Sequence, residues 1–314
     1  MENTIPTEEN PLRIGTRGSP LALAQAYETR RRLSECFVLP ESAFEIVVIK
    51  TTGDDRALID ADRPLKEIGN KGLFTKEIEE QLLSGEIDIA VHSSKDMPTE
   101  QPEGLRLDCF LPREDPTDAF VSLKYRSLAE LPEGAVVGTS SLRRRAQVLH
   151  RRPDLKVVEF RGNVQTRMRK LHEGVADATF LAMAGINRLA LDVPARAIAS
   201  DEMLPAVAQG AIGIERRVGD ARVAVMLAAI QDAETGQRLA AERAFLAALD
   251  GSCETPIAGL AEVFSGVLHL RGEILKPDGT RSVSGEISGP VSEAESLGAA
   301  LAQDLLARAG ERFF

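Results

Sequence analysis

The sequence predicts an α/β protein built from two doubly wound lobes, followed by a small α+β domain with an antiparallel sheet. Three observations predict it. Over the first two-thirds of the 314 residues, short apolar runs rich in β-branched residues alternate with amphipathic helical stretches, the grammar of a sheet covered on both faces. That pattern breaks at residues 112–116, where Pro112 and Pro116 flank three charged residues, and then starts again. Beyond residue 250 it gives way to alternating strand-like segments, and the length suits more than one domain.

In the first lobe, residues 12–16 read as a strand and 17–19 as a loop. Residues 20–34 read as a helix, with Ser19 at the N-cap and Pro20 at the first helical position. Residues 44–50 form a second, β-branched strand, 75–83 a helix and 87–92 a third strand. In the second lobe, a strand at 135–138 feeds a helix at 141–149, and a strand at 156–160 feeds a helix at 164–173. A strand at 177–181 precedes a helix ending near Arg188. The short β-like run 210–215 suits a strand returning to the first lobe. Helical patterns at 221–230 and 233–249 lead to strands at 257–263, 267–274 and 282–287, with Pro277-Asp278-Gly279 turning the last pair, and a closing helix spans 291–309. The domains expected are 11–113 with 210–231, 114–209, and 234–314.

Cys36, Cys109 and Cys253 are odd in number, far apart and without a Cys-x-x-Cys pair, which argues against a disulfide framework or thiolate metal site and for a reducing, cytoplasmic setting. None of the four histidines pairs at i, i+4 across a glutamate, so no metal is expected. The polar, acidic residues 1–10 lack the apolar core of a secretion signal, and no later run approaches a membrane span. Net charge is −10, yet residues 139–170 hold ten Lys/Arg against two acids, a local +8 that leaves −18 on the remainder. A concentration of arginine in an acidic chain suits a ligand with several carboxylates or phosphates, which guanidinium grips bidentately; a merely solvated basic helix face is the plain alternative. An acidic remainder and 4% aromatic content without tryptophan argue against nucleic acid. Gly-rich nucleotide cradles are absent.

The polar candidates each follow a predicted strand: Arg17 and Ser19, then Ser93 to Asp96, then Thr139 to Ser141, then Arg161. In open α/β sheets ligands bind beyond the carboxyl ends of strands, where helix N-termini also offer N–H groups to anions. Asp96 is the lone carboxylate of that set. It suits stabilising a cation or shuttling a proton, and equally an ion pair with Lys95 or an N-cap. Residues 70–77 begin a helix whose Gly72 suits a movable lid with Phe74 as its cover, although Phe74 also suits ordinary core. Cysteine is usually a small buried hydrophobe. Cys253, however, lies in Asp250-Gly251-Ser252-Cys253-Glu254-Thr255-Pro256, a turn-forming stretch where an electrophile can reach the thiolate.

Six stretches taken together resemble the porphobilinogen deaminase (hydroxymethylbilane synthase) family. They are Arg13-Ile14-Gly15-Thr16-Arg17-Gly18-Ser19-Pro20-Leu21-Ala22, Lys71-Gly72-Leu73-Phe74-Thr75-Lys76-Glu77, His92-Ser93-Ser94-Lys95-Asp96-Met97-Pro98, Gly138-Thr139-Ser140-Ser141-Leu142-Arg143-Arg144, Arg161-Gly162-Asn163-Val164 and Gly251-Ser252-Cys253. They fall in the family's order across nearly the whole chain. The resemblance implies lobes like those of type II periplasmic binding proteins. It also implies a transferase that joins four porphobilinogen molecules head to tail into hydroxymethylbilane, releasing ammonia at each addition and using water at the end. It implies a dipyrromethane cofactor held by a thioether at Cys253, and Asp96, Lys95 and Arg17 in catalysis. Cofactor contacts fall on Lys95, Asp96, Ser141, Arg143 and Arg144, and substrate contacts on Arg17, Ser19, Arg161, Arg167, Arg188 and Phe74. Loss of ammonia from an aminomethylpyrrole would supply the electrophile, an azafulvenium cation, and the acetate and propionate of every pyrrole would explain the arginines. The expected protein is a monomer that binds neither nucleic acid nor membrane. Ser94, Ser252 and Arg145 depart from the usual family pattern. A second class, a two-lobed anion-binding module, shares the expected architecture; the lack of a signal peptide or a DNA-binding segment argues against it.

Overall fold

The computed structural model describes residues 5–51, 75–251, 255–310 and 313. It falls into two compact units, Met1–Arg113 with Ala211–Gly236 and Glu114–Gly210 with Gln237–Phe314.

The first unit holds strands β1 (Leu12–Arg17), β2 (Phe44–Ile49), β3 (Ile89–Ser93), β4 (Leu105–Phe110) and β10 (Ile212–Arg217). Its helices among the described residues are α1 (Pro20–Phe37), α2 (Lys76–Ser84) and α6 (Ala221–Ala228). The sheet order is β2-β1-β3-β10-β4; β1 is parallel to β2 and β3, while β10 is antiparallel to both neighbours. The returning strand is thus β10, seated between β3 and β4. Side chains alternate across a strand, so each sheet face buries its own apolar set. Leu12, Ile14, Ile89 and Ile214 pack with Ala26, Leu33 and Val223 on one face, and Ile49, Ile87 and Ala90 pack with Ile78 and Leu82 of α2 on the other. α1 starts as its sequence dictates: Ser19 accepts a hydrogen bond from Ala22 N at 3.3 Å and Pro20 fills the first turn.

In the second unit, β5 (Asp118–Val121), β6 (Val136–Gly138), β7 (Lys156–Val158), β8 (Ala178–Ala182) and β9 (Ala195–Ala197) form a sheet ordered β7-β6-β8-β5-β9, with β5 antiparallel to β8 and β9. Helices α3 (Leu142–Arg151), α4 (Val164–His172) and α5 (Met183–Arg188) follow β6, β7 and β8 in turn. The strand order and orientation of the first sheet are therefore repeated. Strands β4, β5 and β9 are additions to the sequence reading. β5 and β9 are only 4 and 3 residues long and each carries a charged residue, Asp118 or Arg196, which breaks the apolar run that marks a strand.

The rest of this unit is an antiparallel sheet of β11 (Ile257–Phe264), β12 (Val267–Leu275) and β13 (Ser282–Pro290), with α7 (Ala233–Ala248), whose first four residues belong to the first unit, and α8 (Ala294–Ala309). The β12–β13 hairpin turns where Pro277-Asp278-Gly279 predicted: Gly279 takes φ +72°, and Asp278 Oδ1 accepts from Thr280 N at 3.0 Å. Glu242, fully buried on α7, accepts from Ala208 N at 2.7 Å and from Ala261 N at 2.8 Å, tying this sheet to the chain leaving the second lobe. Among the described residues, no helix is long and apolar enough to cross a membrane, and no group of three or more His, Cys, Asp or Glu could hold a metal ion.

Candidate active site

Each unit carries its own set of the sequence-predicted residues. In the first, β1 ends at Arg17, β3 runs into a single tight turn at Ser94–Asp96, and α1 begins after Ser19. These three segments sit at the carboxyl ends of neighbouring parallel strands, as the open-sheet rule requires. A pocket there is lined by Arg17, Ser19, Gln25, Thr75, His92, Ser93 and Asp96. Asp96 is exposed, and Lys95 beside it on the turn is half-buried. Ser93 Oγ and the Gln25 amide satisfy each other at 2.9 and 3.1 Å, which fixes the pocket floor. Gln25 was not singled out from sequence; its signal is a polar residue on the apolar stripe of α1, where it is buried.

In the second unit, Ser141 caps α3 by accepting from Arg144 N at 3.4 Å, and Ser140 Oγ accepts from Phe160 N at 3.0 Å, locking the loop after β6 to the end of β7. Arg143 and Arg144 do not reach outward into solvent. Both are buried and converge on Asp118, which is fully buried at the head of β5. Arg143 donates to Asp118 Oδ2 at 2.7 Å and to Leu204 O at 2.8 Å. Arg144 donates to Asp118 Oδ1 at 2.6 Å and to Phe180 O at 3.2 Å, and Gln209 adds a bond to Oδ1 at 3.0 Å. Burial alone would raise the Asp118 carboxyl, but the charges of Arg143 and Arg144 and their hydrogen bonds outweigh it and hold it well below the usual carboxylate range. Burial, then the charge of Arg144, draws Arg143 down, with the charge and hydrogen bond of Asp118 opposing. Sequence reasoning passed over Asp118. Its signal is an acid opening a buried run, Ala119-Phe120-Val121, where a carboxylate requires a cation.

Arg167 extends this cationic group. It donates to Gly162 O at 2.9 Å and to Phe180 O at 3.2 Å, the carbonyl that Arg144 also uses. Burial, then repulsion from Arg144, lowers it to about 10, and both of these hydrogen bonds go to backbone carbonyls rather than to a carboxylate. Arg161 keeps only 17% of its side chain exposed, lies 3.9 Å from Glu159, and has a buried Nε with no hydrogen-bond partner. Arg143 and Arg144 thus share the carboxylate of Asp118, Arg167 adds a third guanidinium beside Arg144, and Arg161 on the neighbouring loop has the orphaned donor. An arrangement with surplus buried positive charge and an unused donor fits carboxylates carried by a ligand. Arg188 lies apart from this group, at the end of α5, and donates to Gly210 O at 2.9 Å. Phe74 and Cys253 lie outside the described residues.

Comparison with known proteins supplies the family. A family model described as "Porphobilinogen deaminase, dipyromethane cofactor binding domain" matches residues 12–225, and one described as "Porphobilinogen deaminase, C-terminal domain" matches residues 237–307. A curated porphobilinogen deaminase of Paracoccus denitrificans (strain Pd 1222) is 64% identical over 311 residues, covering 99% of this chain and 98% of that protein. Among solved structures, the VFT2 domain of Bordetella pertussis BvgS matches at 16% identity and a TM-score of 0.41, covering 74% of this chain and 91% of that one. A probable amino-acid ABC transporter extracellular-binding protein of Bacillus subtilis matches at 14% identity and a TM-score of 0.43, covering 73% and 95%. On the two family models and the relative at 64% identity, the chain belongs to the porphobilinogen deaminase family, with dipyrromethane as its cofactor.

Proposed function

We infer that this chain is the transferase that condenses four porphobilinogen molecules head to tail into hydroxymethylbilane, with loss of one ammonia per addition. One observation carries the chemical side of the reading: the guanidiniums of Arg143, Arg144 and Arg167 gathered beside one buried carboxylate, Asp118. Porphobilinogen and its oligomers bear two carboxylates per pyrrole, so a growing chain offers acceptors to this cationic group and to the orphaned Nε of Arg161. When bound, the dipyrromethane supplies a pyrrole carbon that attacks the incoming unit.

The residues of this chain do the remaining work. Arg143, Arg144, Arg161 and Arg167, with Ser141 at its helix N-terminus, hold cofactor and substrate carboxylates, and Arg188 assists from the end of α5. Arg17 and Ser19, on the pocket that also holds Asp96, orient the reacting unit. Asp96 sits against that unit as an anion, opposing the positive charge that develops as ammonia leaves and accepting the proton released on coupling. Lys95, its neighbour on the turn, contacts the cofactor. Cys253 holds the cofactor through a thioether, formed by its sulfur adding to the primer's terminal methylene. Phe74 covers the bound pyrroles. Three domains, 11–113 with 210–231, 114–209 and 234–314, carry these roles in a cytoplasmic monomer.

Incubation of the purified protein with porphobilinogen, with ammonia and product followed together, tests the activity; binding without ammonia release would point to an anion receptor instead. Intact mass tests the attachment. The purified protein is expected to exceed its sequence mass by two deaminated substrate units, and Cys253→Ala to lose that excess. An active protein of unmodified mass would refute the thioether.

A further inference from the structure

Among the described residues, the wall of the Asp96 pocket hides a group of polar atoms without hydrogen-bond partners. The antiparallel register of β3 and β10 sets His92 opposite Gly213 and Ala90 opposite Glu215, so His92 and Glu215 are diagonal neighbours on one sheet face. Their Nε2 and Oε2 atoms lie 3.3 Å apart without the alignment of a hydrogen bond, and His92 Nε2 and both carboxylate oxygens of Glu215 lack hydrogen-bond partners. The Ser94 hydroxyl, 2.8 Å from where a side chain on Gly213 would begin, is orphaned too. Across the face, Thr75 stands at the N-cap of α2 but does not cap it, and its hydroxyl also lacks a partner. One turn on, burial and then the charge of Glu215 raise the Glu79 carboxyl, while Thr75 Oγ1 lies near enough to draw it down without completing a well-formed hydrogen bond.

Thr75, His92, Ser94 and Glu215 are 3%, 6%, 1% and 0% exposed. Leaving one buried polar group unsatisfied costs about 1–3 kcal/mol, so this many orphans in one place calls for a small polar occupant. Thr75 and His92 also line the pocket that contains Asp96, so an occupant held between them stands at the pocket wall.

We propose that Thr75 and His92, backed by Ser94 and Glu215, hold an ordered water at the Asp96 pocket, and that this is the water consumed when the finished tetrapyrrole is released. The inference rests on the transferase reading above. Release consumes one water and transfers no electrons. Its hydroxyl bonds to the terminal methylene of the departing tetrapyrrole, and its hydrogen goes to the pyrrole carbon from which that methylene separates. Thr75 and His92 are positioning residues for that step.

Two measurements test this. In a crystal structure of the protein at a resolution that shows solvent, an ordered water is expected within hydrogen-bond distance of both Thr75 Oγ1 and His92 Nε2. If protein groups occupy both atoms, or the space is dry, the inference fails. In Thr75→Val, which removes the hydroxyl at nearly constant volume, release is expected to slow by about tenfold or more, and by at least about fivefold more than any addition. The longest chain-loaded species should then accumulate in intact-mass spectra. Ser94→Ala gives a second variant in the same direction should Thr75→Val fold poorly. Addition and release slowing together, or release unchanged, would overturn the assignment. A wild-type protein that releases no ammonia from porphobilinogen would remove the transferase reading and this use of the water with it, whereas an active wild type with unchanged release in Thr75→Val removes this inference alone.

Discussion

Replacing Asp118 by asparagine separates the electrostatic role of this residue from its shape. The substitution keeps the volume and one carbonyl oxygen, but removes the charge that Arg143 and Arg144 share and turns an amide NH2 towards two guanidiniums. In the wild type both carboxylate oxygens are taken: Arg143 approaches at 2.7 and 3.2 Å, Arg144 at 2.6 and 3.1 Å, and Gln209 at 3.0 Å. Asp118 has no exposure and the two arginines have 5% and 8%, so water cannot replace what is lost. Breaking one side of a buried ion pair costs about 3–5 kcal/mol, and here two cations lose the same partner, so about 4 kcal/mol is the expected loss. In thermal unfolding this corresponds to roughly 8–16 °C. The pH dependence carries its own sign. Folding lowers the Asp118 carboxyl, so its stabilisation is complete at neutral pH, begins to fall as pH drops through the ordinary value of 3.8, and continues to fall below it. The variant should lose that acid limb. A melting temperature within about 2 °C of wild type, or an unchanged acid limb, would refute the clamp.

Other outcomes follow from single features. Asp96→Asn is expected to fold normally, because Asp96 is exposed, and to lose about 100-fold or more in turnover; near-normal rates would make Asp96 structural. Arg167→Met should stabilise the protein lacking bound oligopyrrole by about 1 kcal/mol, since it removes a half-buried charge that desolvation first and Arg144 second lower to about 10, while weakening carboxylate binding at least about tenfold. Unfolding and binding measurements on one preparation check both signs. Thiol titration of the native protein should find one reactive cysteine per chain. Cys36 is exposed, Cys109 is buried with its thiol pushed up to about 12 by burial first and Asp108 second, and the proposed thioether would consume Cys253; two reactive thiols would contradict the attachment.

Much of the fold was legible because local rules set it. Ser19 and Ser141 cap their helices as their types predict, and β11, β12 and β13 fall within a few residues of their expected spans because alternation and the Asp278-Gly279 turn mark them. β5 and β9 were not legible, because a strand of three or four residues with a charge in it has no periodicity to read. The same gap concealed the inner side of the arginine site. The cationic run at 139–170 announces a ligand, but the partner of Arg143 lies 25 residues upstream in one of those unread strands, and Gln209 reaches Asp118 from 91 residues away. Pairings of that kind follow from sheet order and burial, which the run of residue types does not encode. The buried neighbours His92 and Glu215 were hidden likewise: β10 was legible as a returning strand, but which of its residues lies beside His92 depends on register.

The place of β10 bears on how the chain matures as it leaves the ribosome. Residues 212–217 fill the slot between β3 and β4, yet they are made about a hundred residues after β4 ends. Until they emerge, the first sheet is split, with the facing edges of β3 and β4 each presenting unpaired N–H and C=O groups, the kind of surface on which strands of other chains add. A nascent chain halted before residue 211 should therefore be prone to aggregation and dependent on chaperones, and the insertion of one six-residue strand should end that vulnerability in a single cooperative step.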